Sequence, residues 1–135
     1  MRGATPGVMA RRLPTIPDER GMLTEIIRAD DPQYPAFGQV YVTTTYPGVV
    51  KGWHAHVLQT DFVTCLTGEI KLVLYDSLDG SPTQGSVNEC FLGPRNLLLV
   101  RIPAGILHGW KCISPAEALD LIAPDRVYDY ANPDE

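Results

Sequence analysis

No stretch of this chain carries a long helical period, and that absence limits its fold more than any single motif does. Apolar residues come instead in short runs of strand character. FGQVYVTTT (37–45) alternates and is rich in β-branched and aromatic residues. In EIKLVLYD (69–76), Ile70, Leu72 and Leu74 share one face while Lys71, Val73 and Tyr75 share the other. Similar runs predict strands at 49–53, 61–66, 89–92, 96–102, 107–113 and 117–122, and 22–28 reads as a strand or a helical turn. Turn residues separate them: DERG at 18–21, a Gly/Pro/Ser-rich loop at 76–86, Pro103 and Pro115. Nine or so short strands in 135 residues predict one all-β domain, an antiparallel barrel or sandwich around a single core. Its expected span is 14–135. Residues 1–13, with Arg2, Arg11 and Arg12 among Gly, Pro and Met, predict a flexible N-terminal arm.

The charge balance narrows the partners. A net charge of −5 without a basic cluster argues against nucleic acid, although scattered Arg and Lys side chains can still meet a phosphate. No run has the apolar length needed to cross a bilayer, and the N-terminus lacks a signal-peptide pattern. A cytoplasmic protein without membrane contact is therefore expected. Cys65, Cys90 and Cys112 are odd in number and show no CxxC spacing; Cys65 and Cys112 lie in strand-like runs, where a reduced, buried thiol is the expected state.

Histidine is scarce, and its placement points to a site. His54 and His56 stand at i, i+2 in GWHAH, a spacing that on a strand sends both side chains to one face. The third histidine, His108, lies in RIPAGILHGW, a second short apolar run bounded by Pro and Gly. All three are expected to meet in one pocket. Trp53 and Trp110, each near a histidine, are expected to back that pocket without lining it.

Two segments carry a family resemblance. Gly48, His54-Ala55-His56, Asp61 and Gly68 resemble the first cupin motif, with Asp in place of the usual Glu. Pro103-Ala104-Gly105 and His108 resemble the core of the second, with Cys112 where that motif has Asn. The resemblance implies a cupin fold, a double-stranded β-helix or jelly-roll barrel with its site in the mouth. It also implies the usual cupin ligand set, His54, His56, Asp61 and His108, whose imidazole and carboxylate donors suit Fe, Mn, Ni or Zn.

Within the cupins, DERGMLTE, FGQVYVTTTYPGVVKGWH, LVLYDSLDGSPTQG and NLLLVRIPAGILHGW are most similar to the dTDP-4-dehydrorhamnose 3,5-epimerase family. That resemblance implies no cofactor, a nucleotide-sugar substrate and a homodimer that shares strands between subunits. It implies nucleotide contacts from Arg20 and Glu25, a binding role for Gln39, a diphosphate contact from Lys51, a catalytic base in His54 and a second site histidine in His108. Arg101 is a further phosphate candidate.

Four departures stand out. His54-Ala55-His56 is closer to the HAH of cupin dTDP-sugar 3,4-ketoisomerases, and Asp61 replaces the family's lysine. The family's catalytic tyrosine falls at Asp120, and the sequence given ends at Glu135, before the region of the aspartate that pairs with the family's histidine.

The chemistry implied is proton abstraction next to a ketone, with the resulting enolate held by a donor at its oxygen. Imidazole suits the base because its ordinary pKa is about 6.5. His54 is the expected base, His108 a holder of the sugar or enolate oxygen, and His56 with Asp61 an orienting pair or shuttle. Tyr41, Tyr128, Tyr130 or water can return the proton to the opposite face. The leading expectation is a 3,5- or 3-epimerase of a dTDP-4-keto-6-deoxyhexose. The alternatives are a 3,4-ketoisomerase, a metal-dependent cupin enzyme, and a sugar-binding cupin without catalysis.

Overall fold

The computed structural model describes residues 6–135, and its regular elements are all strands: β1 (Met9–Arg12), β2 (Thr15–Asp18), β3 (Gly21–Thr24), β4 (Tyr41–Thr45), β5 (Val50–His54), β6 (Asp61–Thr67), β7 (Ile70–Asp76), β8 (Val87–Leu92), β9 (Leu98–Ile102), β10 (Ile106–Cys112) and β11 (Ala118–Ile122). They form a five-stranded sheet in the order β1-β9-β6-β11-β4 and a four-stranded sheet in the order β5-β10-β7-β8, with β2 and β3 as a separate hairpin. Every pairing is antiparallel. The two larger sheets close over one apolar core as a jelly-roll barrel of the cupin type. No helix among the described residues is long and apolar enough to cross a membrane.

The core is built by alternation. Ile70, Leu72 and Leu74 of β7 point inward and are at most 1% exposed; each contributes about 2–3 kcal/mol by leaving water. They meet Val63 and Cys65 of β6, Val100 and Ile102 of β9, and Ala118 and Ile122 of β11 from the facing sheet. A second cluster lies on the outer face of the five-stranded sheet, where Ile26, Ile27 and Tyr34 cover Phe62 and Leu99. There the Tyr34 ring stands edge-on to Phe62 at 5.2 Å. Gly68, at the β6–β7 turn, adopts φ +74°, and a Cβ there would lie 2.7 Å from the Ala118 Cα, so glycine alone fits.

Three expectations need correction. Residues 1–5 of the expected arm lie outside the described residues. Met9–Arg12 are not a loose arm but pair with β9, anchored by the buried Val8 and Leu13 on either side. Residues 37–40 are not strand, because Gly38 and Gln39 both donate their amides to the Pro124 carbonyl, at 3.0 and 3.3 Å, and so leave the ladder. Of the run 22–28 only the part within Gly21–Thr24 is strand, turned back on β2 at Asp18–Gly21. The hairpin so formed exposes Ile16, Met22 and Leu23 at 65%, 58% and 56%.

Candidate active site

A cavity of about 180 Å³ opens between the sheets at one end of the barrel. Tyr41, Thr43, Asp61, Val63 and Ile122 line it from the five-stranded sheet, and Lys51, His54, His108 and Trp110 from the four-stranded one. His56 and Glu135 complete the wall from loops. The three histidines thus converge as expected, with ring centroids 6.3 Å apart for His54–His108 and 5.9 Å for His56–His108.

Irregular pairing puts both Lys51 and His54 inside. Along β10, His108 faces His54 and Trp110 faces Lys51, so two steps on one strand match three on the other. The extra residue is a β-bulge, which lets side chains three apart share a face that strict alternation would deny one of them. Two glycines let the strands approach: a Cβ on Gly52 would lie 3.0 Å from the Gly109 Cα. Trp53 points outward, 55% exposed, but Trp110 is buried and lines the cavity. The expectation that both tryptophans stand behind the site therefore fails for Trp110, which is two residues from His108 and shares its face.

His56 reaches the site from the loop after β5, not from the strand face that its spacing with His54 suggested. Its Nε2 lies 3.3 Å from Asp61 Oδ2, and its Nδ1 lies 2.5 Å from the Asp134 carbonyl. His108 is arranged in the same way, with Nδ1 3.0 Å from the Ile106 carbonyl and Nε2 3.7 Å from Asp61 Oδ2. A carbonyl only accepts, so each Nδ1 carries a proton and each Nε2 turns toward the carboxylate. The hydrogen bond to Asp61, helped by the Asp134 carbonyl and opposed by burial, raises His56 to about 9. Burial pushes Asp61 up, but hydrogen bonds from His108, His56 and Gln59 outweigh it and hold the carboxyl below the usual range. Gln59 donates its amide to Asp61 Oδ1 at 2.6 Å. His54 makes no side-chain hydrogen bond among the described residues, which leaves its imidazole free to meet a ligand.

The same donor atoms test for a metal. His56, Asp61 and His108 offer ligand atoms within 4.8 Å of one another, and the Nδ1–carbonyl bonds are the outer contacts that orient metal-bound histidines. These three residues fit a divalent cation. His54 is not one of the group, which corrects the four-ligand set expected from the motif.

Beneath the cavity floor lies a buried chain. Trp110 Nε1 donates to Thr45 Oγ1 at 3.0 Å, and that hydroxyl donates to Asp120 Oδ2 at 3.4 Å. Asp120 is fully buried, and its Oδ1 has no partner. Burial raises its carboxyl to about 6, with the neighbouring Cys65 thiol, the Thr45 hydroxyl and the charge of Lys51 acting the other way. Lys51 itself donates to Thr43 Oγ1 at 2.8 Å and to the Thr44 carbonyl at 2.6 Å.

The last residues strap the mouth. The Asp134 carboxylate accepts the amides of Val57, Leu58 and Gln59 at 2.8, 3.0 and 2.9 Å. Gln59, Thr43 and Asp134 escaped sequence reasoning as site residues; a contact between 134 and 57–59 leaves no local pattern to read. Arg20, Glu25 and Gln39 lie outside the cavity. Arg20 pairs with Asp18 on the hairpin tip, Glu25 pairs with Arg28, and Gln39 Oε1 accepts the Tyr128 amide at 2.6 Å. Arg101 lies 3.5 Å from Gln33, away from the cavity. Cys65 and Cys112 are buried free thiols, as expected, and Cys90 is a third.

Known proteins are similar to this chain in sequence and fold. The chain is 38% identical over 130 residues to the probable low-salt glycan biosynthesis epimerase Agl13 of Haloferax volcanii, covering 95% of this chain and 83% of that protein. A dTDP sugar isomerase from Desulfovibrio desulfuricans G20 superposes with a TM-score of 0.90 at 32% identity, over 97% of this chain and 87% of that one. The dTDP-6-deoxy-D-glucose-3,5-epimerase RmlC from Legionella pneumophila, solved with dTDP-4-keto-L-rhamnose, superposes at 0.84 with 27% identity, over 93% and 70%. The family described as dTDP-4-dehydrorhamnose 3,5-epimerase matches residues 3–132. The chain belongs to that family of dTDP-sugar isomerases, with an all-β cupin fold.

Proposed function

We propose that this protein inverts carbon next to the ketone of a dTDP-4-keto-6-deoxyhexose, with His54 as the base. The observation that carries this reading is a His54 imidazole without a side-chain hydrogen bond among the described residues, on the wall of a mouth cavity beside Lys51 and His108. His54 takes the proton at C3 or C5, and the electrons of the C–H bond move to the ketone oxygen. His108 and the raised His56 line the same cavity, and the positive charge of His56 favours a developing enolate there. Lys51 supplies a cation for the diphosphate.

The 3,4-ketoisomerase alternative calls for two histidines to pass one proton along one face. His56 is tied to Asp61 on one side and Asp134 on the other, which favours a fixed donor over a second shuttle. A divalent cation held by His56, Asp61 and His108 would polarise the ketone oxygen as a Lewis acid. The proton transfers above run through His54 and do not depend on it. Metal analysis of untagged protein purified without chelator tests that occupancy.

The exposed hairpin supports a homodimer. Ile16, Met22 and Leu23 are wet in a single chain, and Arg20 and Glu25 beside them lie outside the chain's own cavity. A second copy gives that arm apolar cover and gives its charged residues a substrate to meet. Three reduced thiols fit a cytoplasmic location. The decisive experiment incubates a dTDP-4-keto-6-deoxyhexose with the protein in deuterated water and follows the sugar protons by NMR. Deuterium at C3, with or without C5, and inversion there support the reading; a migrated carbonyl, or no exchange at all, refutes it.

A further inference from the structure

Inverting a carbon needs a second proton carrier on the face away from the base, and the position where the resemblance leads one to seek it holds Asp120, buried below the floor and absent from the cavity wall. We propose that Tyr41 is that carrier, delivering a proton to the sugar carbon from the face opposite His54. This rests on the epimerase reading above and adds the residue that completes it.

Placement is the first argument. Tyr41 opens β4 on the edge of the five-stranded sheet and faces inward in step with Thr43 and Thr45, while His54 ends β5 in the other sheet. A sugar ring seated in the cavity has the imidazole from one sheet and the phenol from the other. Tyr41 also stands opposite Ile122 in the β4–β11 pairing, two residues along from Asp120 on the same inward face.

Elimination is the second. Of the six tyrosines, Tyr41 alone lines this cavity. Tyr34 packs on Phe62, Tyr75 lies on the outer face with Trp53, and Tyr128 and Tyr130 stack edge-on against each other at 4.9 Å. Tyr46 is 69% exposed beyond the end of β4. The Tyr41 hydroxyl has no hydrogen-bond partner among the described residues, so a ligand can claim it. Tyr41 is 43% exposed; partial withdrawal from water, then the charges of Asp61 and Glu135, push the phenol above its ordinary range, and it enters the reaction protonated.

The step balances without a further reactant. His54 takes the proton, and the C–H electron pair becomes the enolate. The Tyr41 O–H then breaks, its proton bonds to the same carbon from the other side, and the carbonyl re-forms. The phenolate left behind recovers its proton through water from the imidazolium, restoring both groups.

Tyr41→Phe separates the two half-steps, because a base alone still exchanges a proton on its own face. In deuterated water with a dTDP-4-keto-6-deoxyhexose, the variant is expected to exchange within about tenfold of the parent while inversion falls at least about 100-fold. Its melting temperature and dTDP affinity, measured alongside, should match the parent. Inversion at the parental rate overturns the assignment, as does an equal loss of exchange and inversion in a variant that still folds and binds dTDP. A parent that neither exchanges nor inverts overturns the epimerase reading, and this one with it.

Discussion

Asp120 should make the stability of this protein fall as pH rises from about 4 to about 6. Its carboxyl is fully buried, half-bonded, and raised from the usual 3.8 to about 6. Between those values the folded protein holds a proton that the unfolded chain has released. The stabilisation is therefore complete below about pH 4 and lost as pH rises through about 6. A gap of this size corresponds to about 3 kcal/mol, or a fall of about 10 °C in melting temperature for a domain of this length. Asp120→Asn removes the ionisation while keeping the shape. The amide leaves N–H groups where Oδ1 has no partner, a cost of about 1–3 kcal/mol that does not vary with pH. The informative quantity is thus the slope. Urea unfolding at fixed protein concentration, from about pH 4 to about pH 8, should show the parent losing about 3 kcal/mol relative to the variant. Parallel curves for the two proteins would show that Asp120 does not ionise in this range, and the account of the floor would be wrong.

Other perturbations have equally definite outcomes. Asp134→Ala removes the acceptor of three loop amides and should speed hydrogen exchange at Val57, Leu58 and Gln59, with a stability loss of about 1–2 kcal/mol. Unchanged exchange there would mean that the strap is not closed in solution. Lys51→Met should weaken dTDP binding by about tenfold, with the salt dependence of binding reduced, if its ammonium meets the diphosphate. Gly109→Ala places a Cβ 3.0 Å from the Lys51 carbonyl and 3.1 Å from the Gly52 Cα. The clash should cost about 1–3 kcal/mol and spread His54 from His108, read as a lower melting temperature together with slower substrate exchange.

Much of the barrel was legible because its strands obey a two-residue period. Ile70, Leu72 and Leu74 announce β7, and the Asp18–Gly21 turn announces the hairpin. What the period cannot show is where it breaks. Gly38 leaves the β4 ladder for a carbonyl at 124, and Val8 and Leu13 hold a strand whose own residues are all exposed. In the site, the convergence of His54, His56 and His108 was readable from their scarcity and their surroundings. The route of His56 was not, since it depends on a loop pinned by Asp134 and on an acidic partner five residues on. Arg20, Glu25 and Gln39 were read from family likeness alone, and their distance from the cavity within one chain has no signature in the order of residues.

The unequal step between β5 and β10 makes this wall unusually sensitive to chain length. Removing one residue between 51 and 54 would restore even pairing and turn either the ammonium or the imidazole out to solvent, leaving the barrel itself intact. Among related sequences, a one-position gap at this point would therefore signal a changed repertoire of reactions, where gaps elsewhere on the rim signal only a shorter loop.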